Sequence, residues 1–404
     1  RKCCAPWGVE GSSIRVRAIP PVRRLCCISR GHTGPTDIRM VNLINEMAVR
    51  WGTNTSLPRW CVALLVIFYT LLEAFSGVVA GDHFSLVFPG TVGLAAFPQM
   101  LGSAGAFVLS AICLFKFAGG VRRLKELAQT SLIQVFFIFL FSIGTSLIAA
   151  IATVTTISEV HGALLCGVTL IMPLLAVCFE RERDGRVRQY GMWPCFSPKA
   201  IMPHYGVYPG LFLIFFCSIL SILHNYYVSS ALGVMQTISM VFTFAIEATM
   251  VACLLAGDTD AFAASAVVLY VSLLNFVGFS CFAFLGEATE IRSYVNGYAS
   301  ASYEIVIFVL ALGARFLLRY MVIHTASALT STIAFVVSVV LAQLYISVFD
   351  HIWWTWYALF GIITLPFGLA LHVWYMLERQ KVMERLPEPL SEKQPLASSA
   401  TTKV

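Results

Sequence analysis

The chain has little charge for its length. Only 12% of its 404 residues are Asp, Glu, Lys or Arg, whereas 58% are hydrophobic. Soluble domains average roughly 25% charged residues, and a soluble interior of this size cannot bury so many apolar side chains. The composition therefore excludes an ordinary soluble protein and indicates one whose main solvent is a lipid bilayer.

The formal net charge of +6 comes from the start of the chain. Residues 1–39 contain eight basic residues against Glu10 and Asp37, while residues 40–404 contain 19 basic and 19 acidic residues. Because the main body is neutral, we expect no nucleic-acid partner. Residues 1–57 are predicted to be a basic, disordered segment. Residues 1–39 fit either an organelle transit peptide or translated sequence upstream of a start at Met40.

Motifs of soluble enzymes are missing. The sequence has no G-x-x-x-x-G-K, G-x-G-x-x-G, H-E-x-x-H or G-x-S-x-G, and its 12 cysteines include no C-x-x-C pair. These absences argue against ATP-driven work, dinucleotide binding and zinc-dependent or serine hydrolysis. We therefore expect no catalytic residue, no metal site and no cofactor.

Long apolar windows recur along the chain and predict ten transmembrane helices within a domain of residues 58–377, followed by a polar, disordered tail of residues 378–404. Backbone polar groups in hydrocarbon need internal partners, and uniformly apolar runs of this length fit helices and not a barrel. The predicted fold class is an all-α bundle. The windows are 60–80, 99–117, 132–156, 162–179, 208–226, 230–256, 261–285, 302–320, 326–349 and 352–375.

The basic residues predict the orientation, since Lys and Arg flanks stay in the cytoplasm during insertion. With ten spans, 18 of the 19 Lys and Arg residues after position 40 fall on one side, and only Arg292 falls on the other. Both termini are therefore predicted to be cytoplasmic. The spans read as five hairpins, each closed on the outer side.

Glu247 is the most informative polar residue of the predicted spans. Gln236, Ser239, Thr243 and Glu247 follow at steps of three, four and four residues, which places them on one helix face. This stripe fits a pathway for a solute or proton with Glu247 as the cation or proton site. The alternative is that Ser and Thr bond to their own helix, Gln236 holds a neighbouring helix, and Glu247 reaches interfacial water.

Other polar residues within spans are candidates for the same pathway. Glu73 lies in the first span, and Gln134, Asn275 and Gln343 lie in three others. They either converge on one cavity or serve as hydrogen-bonding contacts between helices. Arg315 and Arg319 stand near the inner end of the eighth span, where snorkelling to the headgroups explains both, with binding of an anionic lipid or substrate as the alternative.

These observations leave three hypotheses for the function. The first is a secondary carrier or channel that moves a small solute without ATP hydrolysis. A second is a structural or accessory subunit of a membrane complex, in which the polar residues serve packing alone. The expected partners are the lipid bilayer, an unidentified solute and other copies or subunits of an oligomer.

The third hypothesis is a haem-binding redox protein, because histidines lie at two levels of the predicted bundle. His161 and His224 fall near outer ends, and His204, His324 and His372 near inner ends. A transmembrane b-type cytochrome needs facing histidines at such levels. No two of them share a helix at a useful spacing, which disfavours this hypothesis.

Overall fold

A computed structural model describes residues 57–87, 96–155, 158–183, 187–190, 207–222, 230–255, 258, 260–289, 291–292, 302–349 and 355–385. All of these residues belong to one compact unit, residues 43–404. Residues 1–56 of the predicted N-terminal segment 1–57 and residues 386–404 of the predicted tail 378–404 lie outside the described residues.

The described ranges form eleven helices and one small hairpin. The first helices are α1 (Arg59–Val87), α2 (Ala96–Phe117), α3 (Val121–Thr155), α4 (Ser158–Leu165) and α5 (Val168–Phe179), followed by strands β1 (Glu180–Arg183) and β2 (Val187–Tyr190). The later helices are α6 (Val207–Ile222), α7 (Ala231–Leu254), α8 (Ala264–Gly286), α9 (Ser302–Thr325), α10 (Ala328–Phe349) and α11 (Trp356–Arg385). Within the described residues, each of the ten predicted windows overlaps a helix or a broken helix.

Several of these helices have the length and composition of membrane spans. Within the described ranges, six helical segments are long and apolar enough to cross a membrane. Three shorter apolar helices accompany them, at residues 60–76, 160–175 and 208–222. The six segments are Ala96–Phe117, Ser131–Ala149, Ala231–Leu254, Ala264–Gly286, Ala328–Tyr345 and Trp356–Trp374.

Some boundaries differ from the predicted ones for local reasons. Helix α1 continues to Val87, beyond the end of the predicted window 60–80. The predicted span 162–179 is broken between α4 and α5, where Thr169 N–H donates to the Cys166 carbonyl in a tight turn. In α3, Ser131 has non-helical dihedral angles, and this kink coincides with the predicted start at residue 132.

The fold of the described residues is all-α as predicted, apart from a short β-hairpin after the fifth helix. Residues 180–183 form a strand paired antiparallel with residues 187–190, with Glu180 opposite Tyr190. The two strands form a short β-hairpin, in which the backbone N–H and C=O groups of one strand bond to those of the other. At the other end, α11 continues to Arg385, beyond the predicted boundary at residue 377.

The main packing partners are distant in sequence. Helix α2 packs chiefly on α8, α3 on α7, α1 on α10, and α6 on α11. The prediction of five hairpins is therefore wrong as a description of packing, since most consecutive helices are not each other's main neighbours. Helix α9 is central and packs against α1, α2, α7, α8 and α10.

Glycines explain how α9 reaches its central position. A Cβ atom added to Gly313 would stand 2.4 Å from the Gly105 carbonyl carbon, and one added to Gly105 would stand 2.2 Å from the Val309 carbonyl oxygen. Only glycine permits this approach of the α2 and α9 backbones, a form of packing common between membrane helices. This close contact with α2 holds α9 in the interior of the bundle.

Candidate functional site

An acid and a base meet inside the bundle where α7 faces α9. Glu247 Oε2 lies 3.2 Å from Arg319 Nη2, and Glu247 Oε1 accepts a hydrogen bond of 2.8 Å from the Tyr320 hydroxyl. Glu247 is 1% exposed and Tyr320 is fully buried. A buried carboxylate requires such partners, because an uncompensated charge in a low-dielectric interior costs several kcal/mol.

An aromatic ring covers one face of the Arg319 guanidinium. Its Cζ atom lies 3.8 Å from the centre of the Phe244 ring, one helical turn before Glu247. The Phe244 ring packs in turn against Phe335 of α10, with ring centres 4.7 Å apart. A guanidinium over an aromatic face is held by cation–π attraction, which strengthens when water is excluded. The interpretation of Arg319 as a snorkelling side chain is therefore wrong.

A second acid–base pair lies one helical turn away along α9. Arg315 Nη1 is 3.4 Å from Glu73 Oε1 of α1, and it also contacts the buried Ser76 hydroxyl at 3.5 Å. Sequence reasoning identified Glu73 but no partner for it. Tyr69, fully buried on the preceding turn of α1, lies near Glu73, Arg315 and Arg319.

The cluster extends to α3 and α8 through amide and hydroxyl groups. Asn275 Nδ2 donates to Ser142 Oγ at 3.0 Å, and Ser142 lies near the Tyr320 side chain. The structure thus brings Asn275 and Glu247 into one connected group, although the residues lie on different helices. We call this group the polar network; its members are Tyr69, Glu73, Ser142, Glu247, Asn275, Arg315, Arg319, Tyr320 and Ser331.

Four buried atoms of the polar network have no hydrogen-bond partner among the described residues. They are Arg319 Nε, the Tyr69 hydroxyl, the Ser331 hydroxyl and Asn275 Oδ1. The Tyr69 and Ser331 side chains lie near each other, and neither hydroxyl has a hydrogen-bond partner among the described residues. Buried polar groups are normally satisfied by protein, water or ligand, so these atoms mark where the network has capacity to bind.

The other predicted pathway residues lie outside the polar network. Thr243 Oγ1 donates to the Met240 carbonyl, and the exposed Ser239 donates to the Met235 carbonyl, as in the alternative interpretation. Gln236, Gln134 and Gln343 are half-buried. Of the predicted stripe on α7, Glu247 belongs to the polar network.

Two contacts between helix ends were not predicted from the sequence. The buried Glu287 carboxylate after α8 accepts hydrogen bonds of 2.9 Å from Ala96 N–H and from Phe97 N–H, which caps α2. At other helix ends, Arg123 pairs with Asp258. No spacing in the sequence connects residues so far apart.

Two cavities lie away from Glu247. An apolar groove of about 380 Å³ runs between α4, α5, α6 and α7, lined by residues that include Leu164, Phe215 and Val241. A polar cavity of about 250 Å³ is lined by residues that include Arg123 and Asp258. Neither lining contains Glu247, whose carboxylate is surrounded by packed side chains.

The histidines have local partners where the structure describes them. His161 Nδ1 lies 3.0 Å from Thr237 Oγ1, and His324 Nε2 lies 2.9 Å from the Asp260 carbonyl oxygen. Nδ1 of the buried His372 has no partner among the described residues. His204 and His224 lie outside those residues. Within the same ranges, no three His, Cys, Asp or Glu residues are grouped to hold a metal ion.

The helices define the class of protein to which the chain belongs. It is a multi-pass helical membrane protein, with charged residues paired inside the bundle. No protein-family model matches the chain, and no curated protein matches it.

Proposed function

We propose that the protein is a secondary carrier or channel that moves a small solute across the membrane without ATP hydrolysis. The observation that supports this is the polar network, with its two acid–base pairs and unpartnered buried atoms inside an apolar bundle. Ionisable residues within membrane spans are expensive to bury and commonly mark substrate or ion paths. With Glu247 only 1% exposed, transport requires the helices around α9 to separate.

We further propose ten spans with both termini on the cytoplasmic side. The basic residues support this topology, as do contacts between helix ends that alternation puts on the same side of the membrane. These contacts are Glu287 with Ala96, Arg123 with Asp258, and His324 with Asp260. Protease protection of tags fused to the two termini tests it; protection of one tag and cleavage of the other would require an odd number of spans.

The proposed transport is tested with purified full-length protein in liposomes. Uptake of labelled cationic, neutral, zwitterionic and anionic solutes is compared with uptake by Glu247→Gln, which keeps the side-chain shape and removes the charge. We expect net uptake of at least one solute, and a loss of about tenfold in the variant, equivalent to about 1.4 kcal/mol.

Glu126→Gln is the matched control, because Glu126 forms an exposed pair with Arg122 only one turn away on α3. Its uptake is expected to equal that of the wild type. If folded wild-type protein moves no solute and purifies only with other subunits, the accessory-subunit hypothesis replaces transport. A Soret absorption band in the purified protein would favour the haem hypothesis instead.

A further inference from the structure

We infer that Arg319 is an exchange site for a small carboxylate, which replaces Glu247 at the guanidinium when Glu247 takes up a proton. This inference rests on the proposed transport function and specifies its substrate class and coupling. The transported unit is one proton together with one monocarboxylate anion.

The guanidinium of Arg319 is only partly used by Glu247. Nη2 makes the contact of 3.2 Å with Glu247 Oε2, whereas the buried Nε has no partner among the described residues. A guanidinium has only donors, and two adjacent N–H groups match the two oxygens of a carboxylate. Release of Glu247 therefore frees a two-donor edge that fits a carboxylate better than the single contact does.

Two further donors belong to the polar network. The buried hydroxyls of Tyr69 and Ser331 have no hydrogen-bond partner among the described residues, and Tyr69 lies near Arg319. Three unpartnered groups able to donate, one of them on a cation, favour an occupant rich in acceptors. A carboxylate satisfies this requirement, whereas a cation does not.

Charge balance explains why a proton must accompany the anion. Glu73 and Glu247 offset Arg315 and Arg319, so the paired groups have no net charge. An added anion leaves one negative charge in the bundle, at a cost of several kcal/mol. A proton on Glu247 restores neutrality: the Glu247 carboxylate becomes a carboxylic acid, and the incoming carboxylate takes over the positive charge of Arg319.

The surroundings of Glu247 support both protonation states. Its titratable and charged neighbours are Arg319 and Tyr320 of α9, with Tyr69 and Glu73 of α1 beyond Arg319. His161 of α4 also contacts α7, but its partner is Thr237, which lies ten residues before Glu247. The Tyr320 hydroxyl remains a hydrogen-bond partner for neutral Glu247, either as donor to its carbonyl oxygen or as acceptor from its new O–H group.

The experiment uses full-length protein in liposomes with L-lactate as the probe and L-lactamide as its neutral counterpart. Entry into protein-free liposomes is subtracted to remove passive diffusion of lactic acid. With an inward proton gradient, we expect wild-type protein to accumulate labelled lactate about tenfold faster than without one, and to leave lactamide outside. Lactate entry is expected to acidify a trapped pH dye.

Three variants separate the steps. Glu247→Gln mimics the protonated acid, so proton-driven uptake is lost while exchange of lactate for lactate continues. Arg319→Lys keeps the charge but lacks the two-donor edge, so uptake and exchange both fall about tenfold or more. Arg122→Lys, at an exposed position, leaves both unchanged. Monodisperse elution in detergent confirms that each variant is folded.

A binding measurement guards against loss of transport in a misfolded variant. Lactate, but not lactamide, should raise the melting temperature of wild-type protein in detergent, and more so at low pH than at neutral pH. Equal effects of lactate and lactamide would overturn the inference. So would transport of a neutral or cationic solute with no lactate uptake, although the proposed function would then stand. No transport of any solute by folded protein would overturn both.

Discussion

Helices α9 and α11 are both predicted from apolar windows, yet they occupy opposite kinds of position. Helix α9 contacts five other helices and contains both arginines of the acid–base pairs. Helix α11 packs chiefly on α6, through the single stripe Ala358, Gly361, Leu365, Gly368 and His372. Its segment Trp356–Trp374 has no Asp, Glu, Lys or Arg.

The difference shows what places a helix at the centre of a membrane bundle. Hydrocarbon solvates an apolar side chain as well as a protein interior does, so apolarity alone does not drive α11 inward. A charged side chain at the same depth is costly against lipid and must face partners. Arg315 and Arg319 therefore fix α9 between Glu73 and Glu247, while α11 remains at the edge.

The largest effect is expected when one charge is removed from the acid–base pairs of α9. Arg319→Met leaves the Glu247 carboxylate buried without its cation, which is expected to lower the free energy of unfolding by about 3–5 kcal/mol. The measurement is unfolding by SDS titration in mixed micelles. Arg122→Met, at an exposed pair, should change it by less than about 0.5 kcal/mol. Equal effects of the two changes would show that α9 is not held by charge.

Larger side chains at two glycines, one on α9 and one on α11, also test the difference between the two helices. Gly313→Leu pushes against the Gly105 backbone and should destabilise the whole bundle by about 3 kcal/mol. Gly361→Leu meets the Cys217 carbonyl oxygen, where a Cβ atom would stand at 2.6 Å, and should detach only α11 from α6.

Labelling of the buried Cys217 measures that detachment, because its thiol lies 3.0 Å from Thr364 Oγ1 of α11. In a background with the other cysteines replaced by Ser, Gly361→Leu should speed reaction of Cys217 with a maleimide while the unfolding midpoint in SDS changes little. Gly144→Leu is the control, since a Cβ atom there has open space. Loss of the global fold in Gly361→Leu would contradict a peripheral α11.

The smallest expected effect concerns Phe244, whose ring lies against the Arg319 guanidinium. Phe244→Leu removes the ring 3.8 Å from the Arg319 guanidinium and should cost about 1–2 kcal/mol of unfolding free energy. Phe242→Leu, on the same helix but 45% exposed, should cost less than about 0.5 kcal/mol. The same SDS titration compares them, and similar costs would argue against a stabilising ring contact.

Much of the helical layout was predictable, because spans need about 20 apolar residues whatever their neighbours. The break at Cys166 and the β-hairpin after α5 were not, since both depend on local hydrogen bonds and not on hydropathy. Packing was not predictable either. Nothing in a hydropathy pattern says that α2 packs on α8 instead of following its sequence neighbour.

The site was predictable where a residue is costly to bury, and not where its partner is distant. Glu247 and Glu73 stood out as acids within spans, whereas Tyr69 and Tyr320 looked like ordinary span residues. Arg319 was misinterpreted because its place near a helix end allows snorkelling. The Arg319 side chain points toward Glu247, which is 72 residues away in the sequence.

A double-mutant cycle between Glu247 and Arg319 tests the central claim most directly. Unfolding free energies are measured for the wild type, Glu247→Gln, Arg319→Met and the double variant. A buried pair predicts that the double variant is more stable than Arg319→Met alone, with a coupling energy of about 2 kcal/mol or more. Additive losses, with a coupling energy near zero, would contradict the pairing of α7 with α9 inside the bundle.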